Sequence, residues 1–316
     1  MIALMPRTVA PPFHPDLAGK RVPNVSFGPV IAAIMRRLKP RPLAPGPDVT
    51  VRELVVPGPS GAPDVGIRVF QPVGLAAPAP VLFWIHGGGL IGGSPEQDDR
   101  ASITFARELG ITVAAVRYRL APVHPAPAAI DDVHAGLRGL LAHAAELDID
   151  LAQLVIGGAS AGGGLAAALV QRLHDDGDVP VAFQLLVYPM LDDRTPDRTD
   201  MDTTNTRIWT PKSNLFGWTS YIGDRRGSAD VPAYWAAARR EELTGLPPAW
   251  IGVGTLDLFH DEDVEYARRL EEAGVPVQLD VIDGVFHGFD AVYPTTGVAQ
   301  EFLRTQVTVL RTALVR

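Results

Sequence analysis

The sequence contains no cysteine. Disulfides, thiolate nucleophiles, cysteine-ligated zinc and iron–sulfur clusters are thereby excluded. It also lacks a basic surplus. Lys and Arg number 28 against 36 Asp and Glu, giving a formal net charge of −8. A nucleic-acid binder normally shows the reverse, because phosphates must be neutralised. No apolar run approaches the roughly 20 residues that span a bilayer. The opening stretch, MIALMPRTVAPPF, is too short in its apolar part and too rich in proline for a secretory h-region. The expectation is a cytoplasmic protein with no nucleic-acid partner and no membrane span.

What is present is a large apolar core and a regular rhythm. Of 316 residues 47% are hydrophobic, which argues against disorder and suits one large globular unit. Residues 1–48 are proline-rich and hold one helical candidate. In it Phe27, Ile31, Ile34, Met35 and Leu38 fall at helical spacing, with Arg36, Arg37 and Lys39 near its end. The segment is too short and too weakly basic to read as a membrane-surface helix. Two short strand candidates follow at 49–56 and 66–71. Continuous apolar runs then recur at 81–86, 111–116, 154–158, 183–188, 249–254 and 277–282, as expected for strands buried on both faces. Helix-like stretches lie between them near 97–109, 126–146, 161–175 and 261–273, with a last one from about 297 to 315. Strands alternating with helices predict an α/β protein with a mostly parallel eight-stranded sheet and helices on both faces. Residues 190–247 break the rhythm. That insertion carries Trp209, Phe216, Trp218, Tyr221, Tyr234 and Trp235, and its length fits a lid or cap.

Three elements carry chemistry. GASAG at 158–162 matches G-x-S-x-G between a strand candidate and a helix candidate. A nucleophile elbow is such a strand-to-helix turn, with small residues around the serine because neighbouring backbones come close. The helix N-terminus favours a developing oxyanion. Ser160 is therefore the candidate nucleophile. A Gly-rich packing turn is the plain alternative, and G-x-G-x-x-G is not matched there. HGGGL at 86–90 follows the 81–86 strand. His86 and Gly87 open this segment, whose glycines let N–H groups point into a cavity, as in loops that supply oxyanion-hole donors. For a base, His287 lies in GVFHGFD after the last strand candidate, on the edge where ligand sites form. His174 and His260 sit at helix positions, and His124 in a proline-rich loop. For the orienting carboxylate, Asp257 follows the 249–254 strand; Asp192 and Asp193 compete with it. Asp261, Glu262 and Asp263 read as charge complementing a helix N-terminus. The order Ser160, Asp257, His287 is that of α/β hydrolases.

Together these residues resemble the hormone-sensitive-lipase family of α/β hydrolases, the bacterial HGGG-type carboxylesterases. The resemblance rests on HGGGL at 86–90, YRLAPVHPAPAAIDD at 118–132, GASAGGGLAAAL at 158–169, YPMLDD at 188–193, GTLDLFHDE at 254–262 and FHGFD at 286–290. It implies Ser160 as nucleophile, His287 as base and Asp257 as acid, with an oxyanion hole from the backbone N–H groups of Gly88, Gly89 and Ala161. It implies a small helical cap from residues 1–48 and 190–247 on a catalytic core of 49–189 and 248–316. The expected activity is hydrolysis of small to medium acyl esters through an acyl-enzyme, with a small-molecule ester as partner and no metal or organic cofactor. Activity should fall on acidification, since an unperturbed histidine titrates at about 6.5. An amidase or lactonase with the same triad, or a non-catalytic receptor on the same scaffold, are the alternatives. A receptor typically loses a triad member, and here all three candidates are present. Ala159, Val123 and Leu258 depart from the family pattern, at positions where an acidic residue, glutamate and proline are common. The edge strand at 277–282 is suited to a homodimer.

Overall fold

A computed structural model describes residues 12–22, 24–37 and 40–314. Its elements, in chain order, are α1 (Pro29–Arg37), β1 (Val49–Val56), β2 (Val65–Pro72), β3 (Ala79–Ile85), α2 (Asp99–Leu109), β4 (Thr112–Val116), α3 (Ala128–Ala142), β5 (Ile149–Ala159), α4 (Ala161–Asp176), β6 (Phe183–Val187), α5 (Pro211–Ile222), β7 (Ala249–Gly254), α6 (His260–Glu272), β8 (Val277–Ile282), α7 (Phe289–Val292) and α8 (Gly297–Leu314). All eight expected strands form, and they make one sheet in the order β1-β2-β4-β3-β5-β6-β7-β8. Only β2 runs against its neighbours; β4, β3, β5, β6, β7 and β8 pair in parallel. β5 begins five residues before the apolar run that announces it, because Ile149 already pairs with Ala79 across a register shift.

The two faces of the sheet read directly from the strand periodicity. In β3, Val81, Phe83 and Ile85 enter one apolar cluster with residues of α3, α4 and α6. Leu82 and Trp84, pointing the other way, enter a second cluster with residues of α2 and α8. Successive strand side chains alternate faces, so a run apolar at every position is what a sheet covered on both sides requires. Helices α2 and α4 end on Gly110 and Gly177, both in the left-handed conformation that glycine adopts without steric cost.

The chain before β1 and the 190–247 insertion meet beside the loop that follows β3. Phe27 packs on Trp209 with ring centroids 5.7 Å apart, and its N–H donates to Ser213 Oγ at 2.8 Å. Met35 of α1 lies against Gly92. The α1 stripe differs from its sequence pattern: Ala32 is the buried residue, while Ile34 is exposed. Leu38 and Lys39, and the opening residues 1–11, lie outside the described residues. Among the described residues no helix is long and apolar enough to cross a membrane.

Candidate active site

Parallel strands deliver their carboxyl ends to one edge, and the predicted residues gather there. Ser160 follows β5 directly and caps α4. Its backbone has φ 56° and ψ −121°, a conformation rare for residues with a side chain. The strain is held from both sides. The Ser160 N–H donates to Val187 O at 2.9 Å, and the Ser160 carbonyl accepts from Gly164 and Met190. Close packing explains the surrounding glycines. A Cβ at Gly162 would strike the carbonyls of Ile85 and His86, one at Gly164 the carbonyl of Met190, and one at Gly87 would lie 3.0 Å from Ala159 O. Only hydrogen fits where β3, α4 and the post-β6 loop converge.

His287 connects the site. Its Nε2 lies 2.9 Å from Ser160 Oγ and its Nδ1 2.8 Å from Asp257 Oδ2. An ionised carboxylate only accepts, so Nδ1 carries the proton toward Asp257 and Nε2 presents its lone pair to the serine hydroxyl. The second oxygen of Asp257 accepts from the Phe259 N–H at 2.9 Å, which fixes the carboxylate. All three residues are buried. Two rings grip the imidazole edge-on: Tyr188 with centroids 4.8 Å apart and Phe259 with centroids 5.0 Å apart. Asp192 and Asp193 do not reach the histidine. Asp192 pairs with Arg194, and Asp193 with Arg239 and the Gly227 N–H.

The loop after β3 lies against the elbow. Gly88 has φ 123° and Gly89 φ 62°, conformations suited to glycine. Among the described residues, no backbone hydrogen bond uses the N–H groups of Gly88, Gly89 or Ala161. His86 braces the loop from behind. Its ring stacks on Tyr118 with centroids 4.2 Å apart, and its Nδ1 lies 2.8 Å from the Gly87 carbonyl, to which it donates. Tyr118 OH donates to the His86 carbonyl at 2.9 Å. Removal from water pushes the His86 pKa down to about 4, so the ring is neutral at neutral pH.

The three acids after Asp257 do more than complement a helix end. All lie in the first turn of α6. Asp261 engages His260 and Arg198. Glu262 is buried and braces the loop after β6: it accepts from the Leu191 N–H at 2.7 Å, from the Asp192 N–H and from the Thr195 hydroxyl. Asp263 is fully buried, and neither of its oxygens has a hydrogen-bond partner. Burial, with Glu262 and Asp257 nearby, pushes its pKa well above the usual carboxylate range. The residues at the departures from the family pattern are spread apart. Val123 is exposed, Leu258 is buried in the core and Ala159 is half-buried beside Ser160. Among the described residues no group of three His, Asp or Glu is arranged to hold a metal ion.

Tyr188, Phe259 and Glu262 are site residues that sequence reasoning did not assign. Tyr188 had a usable signal, since it follows the β6 run on the same sheet edge as Ser160. Glu262 had none, because its partners, two backbone N–H groups and the Thr195 hydroxyl, lie about 70 positions earlier.

A hydroxyl facing the free nitrogen of a histidine, itself oriented by a buried carboxylate, is arranged for proton transfer out of the hydroxyl as it attacks. Fold and site together define a serine-type hydrolase of the α/β class. A family model described as alpha/beta hydrolase fold matches residues 82–291. The chain is 33% identical to esterase LipI of Mycobacterium tuberculosis, over 92% of this chain and 91% of that protein. It is 34% identical to carboxylesterase NlhH of the same organism, over 82% and 81% respectively. A solved bacterial heroin esterase superposes with a TM-score of 0.87 at 39% identity, over 96% of this chain and 98% of that one. The chain belongs to the α/β-hydrolase family, in its hormone-sensitive-lipase-type carboxylesterase group.

Proposed function

We propose that this chain is a serine carboxylesterase for small to medium acyl esters, with Ser160 as nucleophile, His287 as general base and Asp257 as its orienting acid. The observation that carries the reading is the unbroken linkage from Ser160 Oγ through both imidazole nitrogens to Asp257. Ser160 Oγ attacks the ester carbonyl as His287 Nε2 takes its proton. The carbonyl oxygen becomes an oxyanion facing the N–H groups of Gly88, Gly89 and Ala161, at the N-terminus of α4. Collapse breaks the bond to the alcohol oxygen, which leaves with the proton from His287. Water then gives a proton to His287, attacks the acyl-enzyme and releases the acid.

The names of LipI and NlhH, an esterase and a carboxylesterase, support ester over amide as the substrate bond. In this reading the segment before β1 and the 190–247 insertion form the cap over the site; their contacts beside Gly89 and Gly92 support it. β8 ends the sheet with one side unpaired, which favours a homodimer across that edge. Light scattering on the purified protein tests the dimer, and cell fractionation tests a cytoplasmic location. For the activity, matched para-nitrophenyl butyrate and para-nitroanilide substrates are compared. Rapid turnover of the ester, abolished by Ser160→Ala, is expected. Preferred cleavage of the anilide, or ester hydrolysis surviving Ser160→Ala, would overturn the reading.

A further inference from the structure

Beside Phe286, the residue before His287, the N-terminal segment and Arg207 of the insertion line a half-open hollow of about 420 Å³. Its floor is apolar. Leu17 and Phe286 are buried, and Phe13 stands edge-on to Phe286 with centroids 6.3 Å apart. Phe286 immediately precedes His287, so the loop that carries the base also supplies part of the floor. Across the hollow, Arg207 is two residues from Trp209, whose indole rests on Gly89. Along the chain the hollow thus lies one residue from His287 and two from the indole that covers Gly89.

Its polar lining has one sign. Lys20, Arg21 and Arg207 line it, and no acidic residue does. Among the described residues none of the three forms an ion pair with a carboxylate, and the sequence outside them contains no Asp or Glu. This is unusual in a chain with eight more acids than bases. The cations are also oriented. The Arg207 guanidinium lies over the Phe13 ring at 5.1 Å and donates to the Thr204 and Thr206 carbonyls at 3.2 and 2.8 Å. Lys20 Nζ lies 5.0 Å from the Tyr293 ring centroid, and Tyr293 OH donates to the Arg21 carbonyl. Neighbouring cations without counter-charges repel one another, and an anion seated among them relieves that repulsion. A planar guanidinium with unused N–H groups matches a carboxylate.

We propose that this hollow binds the free carboxylate of a half-ester substrate, a dicarboxylic acid esterified at one end. Its apolar spacer lies on Phe13 and Phe286, its carboxylate meets Arg207, Arg21 and Lys20, and its ester carbonyl reaches Ser160. The inference rests on the esterase reading and names a substrate class for that same site.

The test compares mono-para-nitrophenyl adipate and suberate with their neutral methyl-capped counterparts. Wild-type protein is expected to favour the anionic ester by about tenfold in kcat/KM, as one charge-assisted contact supplies. The preference should shrink as salt is added. Lys20→Gln and Arg21→Gln, both at exposed positions, should each raise KM for the anionic ester and move the ratio toward one. Arg207→Gln should do so most, and Arg207→Lys less. Free adipate should inhibit neutral-ester turnover competitively in the wild type and more weakly in the Lys20→Gln/Arg21→Gln double variant. Equal turnover of both esters with no response to these substitutions overturns this inference and leaves the esterase reading standing. Failure to hydrolyse either ester overturns both.

Discussion

The indole of Trp209 fills the space that a side chain at Gly89 would occupy. The insertion aromatic and the glycine loop after β3 are therefore fitted to each other. Gly89→Ala should push the loop or the indole aside and misplace an N–H donor. A loss of about 10²–10³ in kcat is expected, the scale for removing one such donor. Trp209→Ala in the same chain should restore part of it by opening the space. Gly88 differs, because a Cβ there would meet the Gly92 backbone carbonyl, which cannot step aside. Gly88→Ala should lose activity with no rescue by Trp209→Ala. Steady-state kinetics on the four variants separate these cases.

Asp257 fixes which nitrogen of His287 carries the proton. Asp257→Asn can offer an N–H to Nδ1 and favours the wrong tautomer. A fall in kcat on the order of 10⁴-fold is expected, with KM little changed. A fall of less than about tenfold would mean that another group orients the imidazole.

His86 links stability to pH. Its pKa is held down to about 4, against 6.5 for the ordinary side chain. Between those values the unfolded chain takes up a proton that the folded chain refuses. The stabilising contribution is complete above about pH 6.5 and is lost as pH falls toward 4, to the extent of about 3 kcal/mol. Denaturant melts from pH 7.5 down to 4.5 should show a steeper loss in the wild type than in His86→Gln.

Asp263 has the opposite slope. Its folded pKa is raised, so its stabilising contribution is complete below the ordinary carboxylate pKa and is lost as pH rises. Asp263→Leu removes an unpartnered buried carboxyl at similar volume. It should raise stability at pH 8 by about 1–3 kcal/mol and by less at pH 5. Equal gains at both values would show that the folded carboxyl is already ionised at pH 5, so that its pKa is not raised.

The strands and the linear motifs were legible because their signals are local. Doubly covered strands read as apolar runs, and the Gly-rich turns at 86–90 and 158–162 read as close backbone approach. The order serine, acid, histidine admits Asp192 and Asp193 as well as Asp257; it is the structure that sets Asp257 2.8 Å from His287 Nδ1 while ion pairs occupy the other two acids. What the pattern left out depends on partners distant in the chain. Glu262 looks like any first-turn acid until the Leu191 N–H meets it. Ile34 fits a helical stripe, yet the body that α1 packs against takes Ala32 instead. The clasp of Tyr188 and Phe259 on His287 joins residues from three strand ends, which no spacing encodes.

The central claim is that Ser160 is the activated nucleophile. Treating the purified protein with diethyl para-nitrophenyl phosphate and mapping the adduct by peptide mass spectrometry tests it most directly. The account predicts one diethylphosphoryl group, on the peptide carrying Ser160, with loss of esterase activity in step and no label on Ser160→Ala. An unlabelled wild-type protein, or a label that persists in Ser160→Ala alongside activity, would contradict it.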